Sequence, residues 1–208
     1  MNRFISQSLL FISYALLSGC ATANILPAPS SPTMIEQLLM AQAVESSLEP
    51  QSPPTTIPIP PGASICLAAT GLASNQQFMI GVLSGWLGKQ DYVIQQNCTL
   101  ATYRAQIILQ TLGTEQAKSF FGMPEVQGSI LPFALPELAI YKVNYQTGHT
   151  RFSLEFYENK TNRFVRSTSW YQGTTYYNHY TILFFIEYAR TNLIGAPNED
   201  TWSELTED

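Results

Sequence analysis

The run Ser64-Ile65-Cys66-Leu67-Ala68-Ala69-Thr70 is almost wholly apolar and is bounded by Pro61-Gly62 before it and Gly71 after it. So short and apolar a run suits a central strand covered on both faces, and the rest of the chain must then supply both covers. The next residues supply one. Ser74-Asn75-Gln76-Gln77 offers N-cap side chains, Met79, Val82, Leu83, Trp86 and Leu87 fall at helical spacing, and Gly88 marks a stop. Tyr92-Val93-Ile94-Gln95 then reads as a second strand. Strand, helix and strand within residues 64–95 predict one βαβ unit with parallel strands, its crossover helix over 78–87 and Trp86 buried against the sheet. The turn Gly71-Leu72-Ala73-Ser74 has neither a second glycine nor a following Gly-Lys-Ser/Thr, so it does not read as a phosphate loop.

Residues 103–112 alternate with the period of a strand, predicted antiparallel to the strand before it. After Gly113, the stretch 120–136 has no sustained period and carries Pro124, Pro132 and Pro136, so it reads as a long loop. Its side chains Phe120, Phe121, Met123, Ile130, Leu131 and Phe133 are more apolar than a solvated loop needs, which makes them the candidate partner-contacting residues. A meander follows. Ala139, Tyr141, Val143 and Tyr145 alternate up to a turn at Gln146-Thr147-Gly148-His149. Phe152, Leu154 and Phe156 alternate up to a turn at Asn159-Lys160-Thr161-Asn162. Phe164, Arg166, Thr168 and Trp170 share one face of a third strand. Residues 173–180 form a Tyr-rich connection, and 181–191 form the last strand.

Upstream, Thr33-Met34-Ile35-Glu36 is a capping box opening a helix over 33–48, with Ile35, Leu38, Leu39 and Leu48, and Ala41 and Val44 among them, as its apolar stripe. Its polar face carries Glu and Gln rather than Lys and Arg, so it is expected to dock on the sheet and not to lie on a membrane. Six prolines in 50–61 read as an extended linker. The expected fold is α+β: a mixed sheet built from one βαβ unit followed by an antiparallel meander, with an N-terminal helix docked on it. The high aromatic content, eleven Tyr and eleven Phe, favours such a sheet.

The N-terminal residues address location rather than fold. Arg3 precedes an apolar segment over 4–17 that is too short for a transmembrane helix of roughly 20 residues, and it ends in Leu17-Ser18-Gly19-Cys20. This is the pattern accepted by the signal peptidase for bacterial lipoproteins. Residues 1–19 are thus expected as a removed signal with Leu17, Ser18 and Gly19 as recognition residues, and Cys20 as the lipidated first residue. Residues 20–32, with Pro27, Pro29 and Pro32, are expected as a tether, 33–194 as a single domain, and 195–208 as an acidic disordered tail. Ala21 rather than Asp after the cysteine implies the periplasmic face of the outer membrane. The net charge of −5 is concentrated in that tail and no basic patch marks a nucleic-acid partner. Cys66 and Cys98 are expected as small buried hydrophobes rather than a disulfide, because parallel neighbouring strands would hold their Cα atoms beyond the roughly 7 Å bridging limit. These two cysteines with His149 and His179 do not make a metal site, and no cofactor is implied.

Several stretches resemble a family of uncharacterised bacterial lipoproteins with a domain of unknown function. They are Ile35-Glu36-Gln37-Leu38-Leu39, Ser119-Phe120-Phe121-Gly122-Met123-Pro124, Leu135-Pro136-Glu137-Leu138-Ala139, Gly148 and Tyr176-Tyr177-Asn178, spread over 33–193. The resemblance brings no catalytic residue. Three function classes follow. The first is a non-enzymatic envelope lipoprotein that binds or helps assemble another envelope protein. The second is a carrier of lipid or glycan, with Tyr141, Tyr145, Tyr171, Tyr176 and Tyr177 as an aromatic face, against their ordinary role in cross-strand packing. The third is a periplasmic hydrolase using His149 or His179, although a turn histidine and a loop histidine are ordinarily just solvated. Replacing Cys20 removes the thiol that accepts diacylglycerol, so Cys20→Ser is expected to abolish both radiolabelled palmitate incorporation and cleavage; label on that variant refutes the anchor.

Overall fold

The computed structural model describes residues 22–25, 32–49, 57–73, 75–125 and 137–196. In these, a mixed sheet carries two α-helices on one face. The elements in chain order are β1 (Thr22–Ile25), α1 (Met34–Ser47), β2 (Ser64–Gly71), α2 (Gln76–Lys89), β3 (Val93–Ile94), a 3₁₀ turn (Cys98–Leu100), β4 (Tyr103–Met123), β5 (Leu138–Glu158), β6 (Phe164–Ser167), β7 (Tyr171–Ile182) and β8 (Ile186–Thr191). The main sheet order is β3-β2-β4-β5-β7-β8, with β1 on β4 and β6 on β5.

The sheet is organised by β4 and β5, each 21 residues long. They pair antiparallel from Tyr103 opposite Glu158 to Met123 opposite Leu138. Two expected interruptions are therefore absent. The strand expected over 103–112 continues through 113–123, so Phe120, Phe121 and Met123 lie in a strand; Ile130, Leu131 and Phe133 lie outside the described residues. The turn expected at 146–149 is mid-strand in β5. Both readings failed because the face of this sheet region that meets α1 is polar. Thr114 Oγ1 and Gln116 Nε2 donate to Glu36 Oε1 at 3.3 and 2.8 Å, so no apolar alternation marks the strand.

Glu36 is the capping-box residue of α1. Its Oε2 accepts from Thr33 N at 2.6 Å while Thr33 Oγ1 accepts from Glu36 N, confirming the box. The same carboxylate is 1% exposed, so one group caps the helix and docks it. The buried stripe of α1 is Glu36, Leu39, Ala43, Val44 and Ser47; of the expected stripe residues Leu39 and Val44 are fully buried, and Ile35, Leu38, Ala41 and Leu48 are half-buried. The small side chains at 43 and 47 let the helix backbone reach the sheet. Thr175 Oγ1 donates to Leu39 O at 2.7 Å. A Cβ on Gly148 would stand 2.7 Å from Leu39 O, and one on Gly173 would collide with Ala43 O. Gly148 is needed for this approach, not for a turn. The expected 173–180 connection is likewise a strand, and the expected final strand over 181–191 is broken by a turn at 183–185 into the end of β7 and β8.

The βαβ unit is present, with β2 parallel to β3 and its crossover helix running from Gln76 to Lys89. Gly88 does not stop α2. Asp91 takes the left-handed position (φ 64°), while Asp91 N donates to Gly88 O and Tyr92 N to Leu87 O, a Schellman closure. Asn75 makes no side-chain cap bond; its amide turns to Met40 Sδ instead. Met79, Leu83 and Leu87 pack with Val44, Ile65, Ile107, Phe152 and Leu154 in the core. Trp86 is only half-buried, edge-on to Tyr171 at 5.9 Å, rather than enclosed against the sheet.

Strand β4 pairs parallel with β2 and not antiparallel with β3. β3 stops after two residues, and the chain crosses β2 through the 3₁₀ turn at Cys98. Cys66 shares a pleat side with Arg104, opposite the helices, and there it forms a disulfide with Cys98 at a Cα separation of 5.0 Å. The sequence reading excluded this bond by letting the strand run on; the reversal after Ile94 brings Cys98 back. The stretch expected as a tether contains β1, whose residues Thr22 to Ile25 pair antiparallel with Phe120 to Ala117 of β4. The linker over 50–61 is also partly engaged, since Ile59 is buried and its carbonyl accepts from Tyr92 Oη at 3.2 Å. Of the acidic tail, 197–208 lies outside the described residues.

Gly148→Ala and Gly173→Ala are each expected to lower stability by about 1–3 kcal/mol, as overpacked contacts do. Gly113→Ala, with nothing within 4 Å of the added carbon, should stay within about 0.5 kcal/mol. Thermal melts check this; equal melting temperatures for all three would refute the close approach of α1.

Candidate functional site

Both helices cover one side of the sheet, which leaves the other as the candidate binding surface. Registered partners share a side of the pleat, so the pairs Val143 with Tyr180 and Tyr180 with Tyr188 place these three on the outer side, together with Phe121 opposite Tyr141. Tyr145 and Tyr176 stand on the same side by two-residue alternation. The Tyr180 and Tyr188 rings stack at 4.9 Å. Val143 is fully buried in their midst, while Tyr141, Tyr145, Tyr176 and Tyr188 stay more than a third exposed. Burial, then the neighbouring Tyr145 and Tyr180, push the Tyr141 phenol above its ordinary value. It remains a neutral hydrogen-bonding group at physiological pH, suited to binding rather than to nucleophilic attack.

Of the tyrosines singled out in the sequence, Tyr141, Tyr145 and Tyr176 belong to this face. Tyr171 and Tyr177 lie on the helix side, and Tyr171 is buried against Phe152 at 5.1 Å. Phe120 is also on the helix side, 7% exposed, with Lys118 Nζ 5.5 Å from its ring centre. Phe121 is half-buried on the outer side, and Met123 is exposed at the end of β4. Leu17, Ser18, Gly19 and Cys20 lie outside the described residues. Sequence reasoning missed Tyr188 and the apolar turn Leu183-Phe184-Phe185. The four-residue spacings of Tyr141 with Tyr145 and Tyr176 with Tyr180 were the available signal, hidden by the turn and connection placed across them.

The two histidines do not meet. His149 is paired with Thr174 on the outer side, its Nδ1 3.3 Å from Thr174 Oγ1, whereas His179 lies on the helix side. The first lines a shallow polar recess with Thr111, Arg151 and Gln172, and Arg151 stacks over Trp170 at 5.0 Å. Between α1 and α2 an apolar groove of about 430 Å³ is lined by Met34, Leu38, Met40 and Phe78. Among the described residues no three His, Cys, Asp or Glu side chains converge on a metal-sized site, and no helix is long and apolar enough to cross a membrane. Compared with protein-family models and with curated proteins, the chain matches none.

Where β4 ends and β5 begins, Glu137 bridges Lys118 at 3.3 Å and Lys142 at 2.7 Å. The Lys142 hydrogen bond, then the charges of both lysines, lower the Glu137 carboxyl pKa against the opposing effect of burial. The lowered folded-state pKa means that the pair stabilises the fold above the ordinary carboxylate range. That contribution is lost as pH falls through the folded value. With side chains roughly a quarter to a third exposed, it should be worth under about 1 kcal/mol. Glu137→Gln is therefore expected to reduce, by up to that amount, the stability lost between about pH 6 and about pH 3 in denaturant titrations. An unchanged pH dependence would show that the bridge contributes nothing.

Proposed function

We propose that the chain is a cell-envelope lipoprotein, akin to the uncharacterised lipoprotein family its motifs resemble. On this reading lipid on Cys20 holds it at the periplasmic face of the outer membrane, and it acts without chemistry of its own as a binding or assembly module for another envelope protein. The observation that carries the reading is the outer aromatic face around Val143: a sheet surface of half-exposed tyrosines, the residue type that offers large contact area and a polar tip at little entropic cost. The Cys66–Cys98 disulfide agrees with folding outside the cytoplasm. The carrier reading has one observation in its favour, the apolar groove between the helices, whose size falls at the low end of small-ligand sites.

The test combines native mass spectrometry of protein taken from its own membrane with the double variant Tyr145→Ser, Tyr188→Ser. Both side chains are more than a third exposed, and loss of the Tyr180–Tyr188 stack, about 1 kcal/mol, should lower the melting temperature by only a few degrees. A polypeptide that copurifies with the natural chain and is lost from the variant is the expected result. A copurifying lipid or glycan retained by the variant would favour the groove and the carrier reading. A polypeptide retained by the variant would remove the aromatic face from the proposal.

A further inference from the structure

The sheet ends in a cluster of exposed apolar side chains. Met123 closes β4, Leu138 and Ile140 open β5, and the β7–β8 turn carries Leu183, Phe184 and Phe185, the last two 53% and 72% exposed. These belong to one end because Met123 pairs with Leu138, while Leu183 N donates to Ile140 O and Phe184 N to Ala139 O. The turn itself is unusual. Ile182 pairs with Ile186 across it, and Leu183 and Phe184 both take positive φ, 49° and 61°. Consecutive left-handed positions in a hairpin turn favour Asn and Gly, and bulky side chains there are strained. A water-facing turn would gain from Asn-Gly on both backbone and solvation grounds; this one holds Leu-Phe-Phe.

The register of β1 places the proposed anchor at the same end. Thr22 pairs with Phe120, three residues from the end of β4, and β1 runs antiparallel to β4, so β1 begins at the Met123 end of β4. Cys20 is two residues before Thr22, at most about 7 Å of backbone. Lys118 and Lys142 lie just inside this end, sharing one Glu137 carboxylate. Among the described residues, Glu125 follows Met123 by two positions and Glu187 pairs with Thr181 of β7.

We propose that this end, with Leu183, Phe184 and Phe185 at its tip and Met123, Leu138 and Ile140 beside them, enters the headgroup and upper acyl region of the bilayer that holds Cys20, as a second membrane contact. The proposal rests on the lipoprotein reading above. A lipid chain and an apolar contact side by side form the two-signal arrangement that makes membrane attachment stable. The lysines near the tip suit the headgroup layer, where their stems cover apolar surface and their ammonium groups stay solvated.

The test uses the lipidated chain reconstituted in vesicles of phosphatidylethanolamine and phosphatidylglycerol. With Cys66 and Cys98 bonded and Cys20 acylated, Phe185→Cys and Lys160→Cys each provide one free thiol for an environment-sensitive fluorophore. Position 160 follows the far end of β5 and serves as the control. Expected are blue-shifted emission and quenching by brominated acyl chains at position 185, and water-like emission at position 160. Acylated protein with water-like emission at 185 overturns the membrane contact alone, whereas protein without acyl label overturns the anchor as well. Blue-shifted emission that brominated lipid does not quench would place the tip against protein and also overturn the proposal. A second variant separates tip function from fold. Leu183→Asn with Phe184→Gly should keep or raise the melting temperature while a fluorophore at Ile140→Cys loses its blue shift. A lowered melting temperature would assign the apolar turn to folding and overturn the proposal.

Discussion

The constraint on which the rest of the structure depends is the antiparallel pairing of β4 with β5. Every other strand except β3 and β8 attaches directly to one of these two, and α1 rests across β5 and β7. The pairing also divides the free edges. On its outer edge β4 meets β2 from Tyr103 to Leu109 and β1 from Ala117 to Phe120, so one long strand serves two short neighbours. β5 does the same with β7 up to Phe152 and β6 from Glu155. Each short strand covers backbone that would otherwise stand open as a template for unwanted pairing. The bulge between Leu109 and Thr111 falls between the β2-paired and β1-paired parts of β4. It shifts the alternation by one residue, so that Ile107 and Leu109 before it and Leu112 and Thr114 after it all face the helices.

This explains which parts of the fold the sequence disclosed. The βαβ unit was legible because its apolar runs and its helical spacing report their own burial. The capping box of α1 was legible because its chemistry is local. The long hairpin was not, because its glycines and polar residues answer to contacts distant in sequence. Gly148 looks like a turn residue until Leu39 O is found against it, and Thr114 and Gln116 look like loop residues until Glu36 is found between them. Glycine in a strand has two meanings, a bend or a close approach, and only the partner backbone decides between them. The disulfide illustrates the same limit: it depends on where β3 stops, and although Asn97 caps the 3₁₀ turn through Thr99 N, that local signal does not say where the turn sends the chain. For the candidate site, individual tyrosines were visible but their common face was not. A common face requires unbroken strands, and the misplaced turns broke them.

The outer face is uneven along its length for reasons of connection. At one end the chain between β3 and β4 crosses it, pinned by the Cys66–Cys98 bond and by Asn159, whose amide donates to the carbonyls of Cys98 and Ala101. That end is covered by the protein's own chain. Towards the start of β5, the described residues leave Tyr141, Tyr145 and Tyr188 half open. Strand β8 closes the sheet there, with Glu187 and Arg190 set among its exposed apolar residues. Charges so placed discourage a further strand from adding to the edge, which leaves the face, rather than β-augmentation, to the proposed partner.

The proposed anchor and the proposed face constrain each other. A long flexible tether would let the body tumble, and any surface would serve equally well. On the proposed anchoring, the start of β1 two residues after Cys20 would remove most of that freedom and set the strands of the central hairpin running away from the bilayer. From Tyr141 to Glu158, β5 covers about 55 Å at the usual rise of a strand. On this orientation the disulfide-pinned crossover stands farthest from the membrane, and the tyrosine face looks sideways within its first part, where a partner embedded in or attached to the same membrane is within reach. The apolar tip then has a physical purpose that its composition alone does not explain. One acyl attachment fixes a point and leaves rotation free, whereas a second contact beside it fixes the direction in which the face is presented.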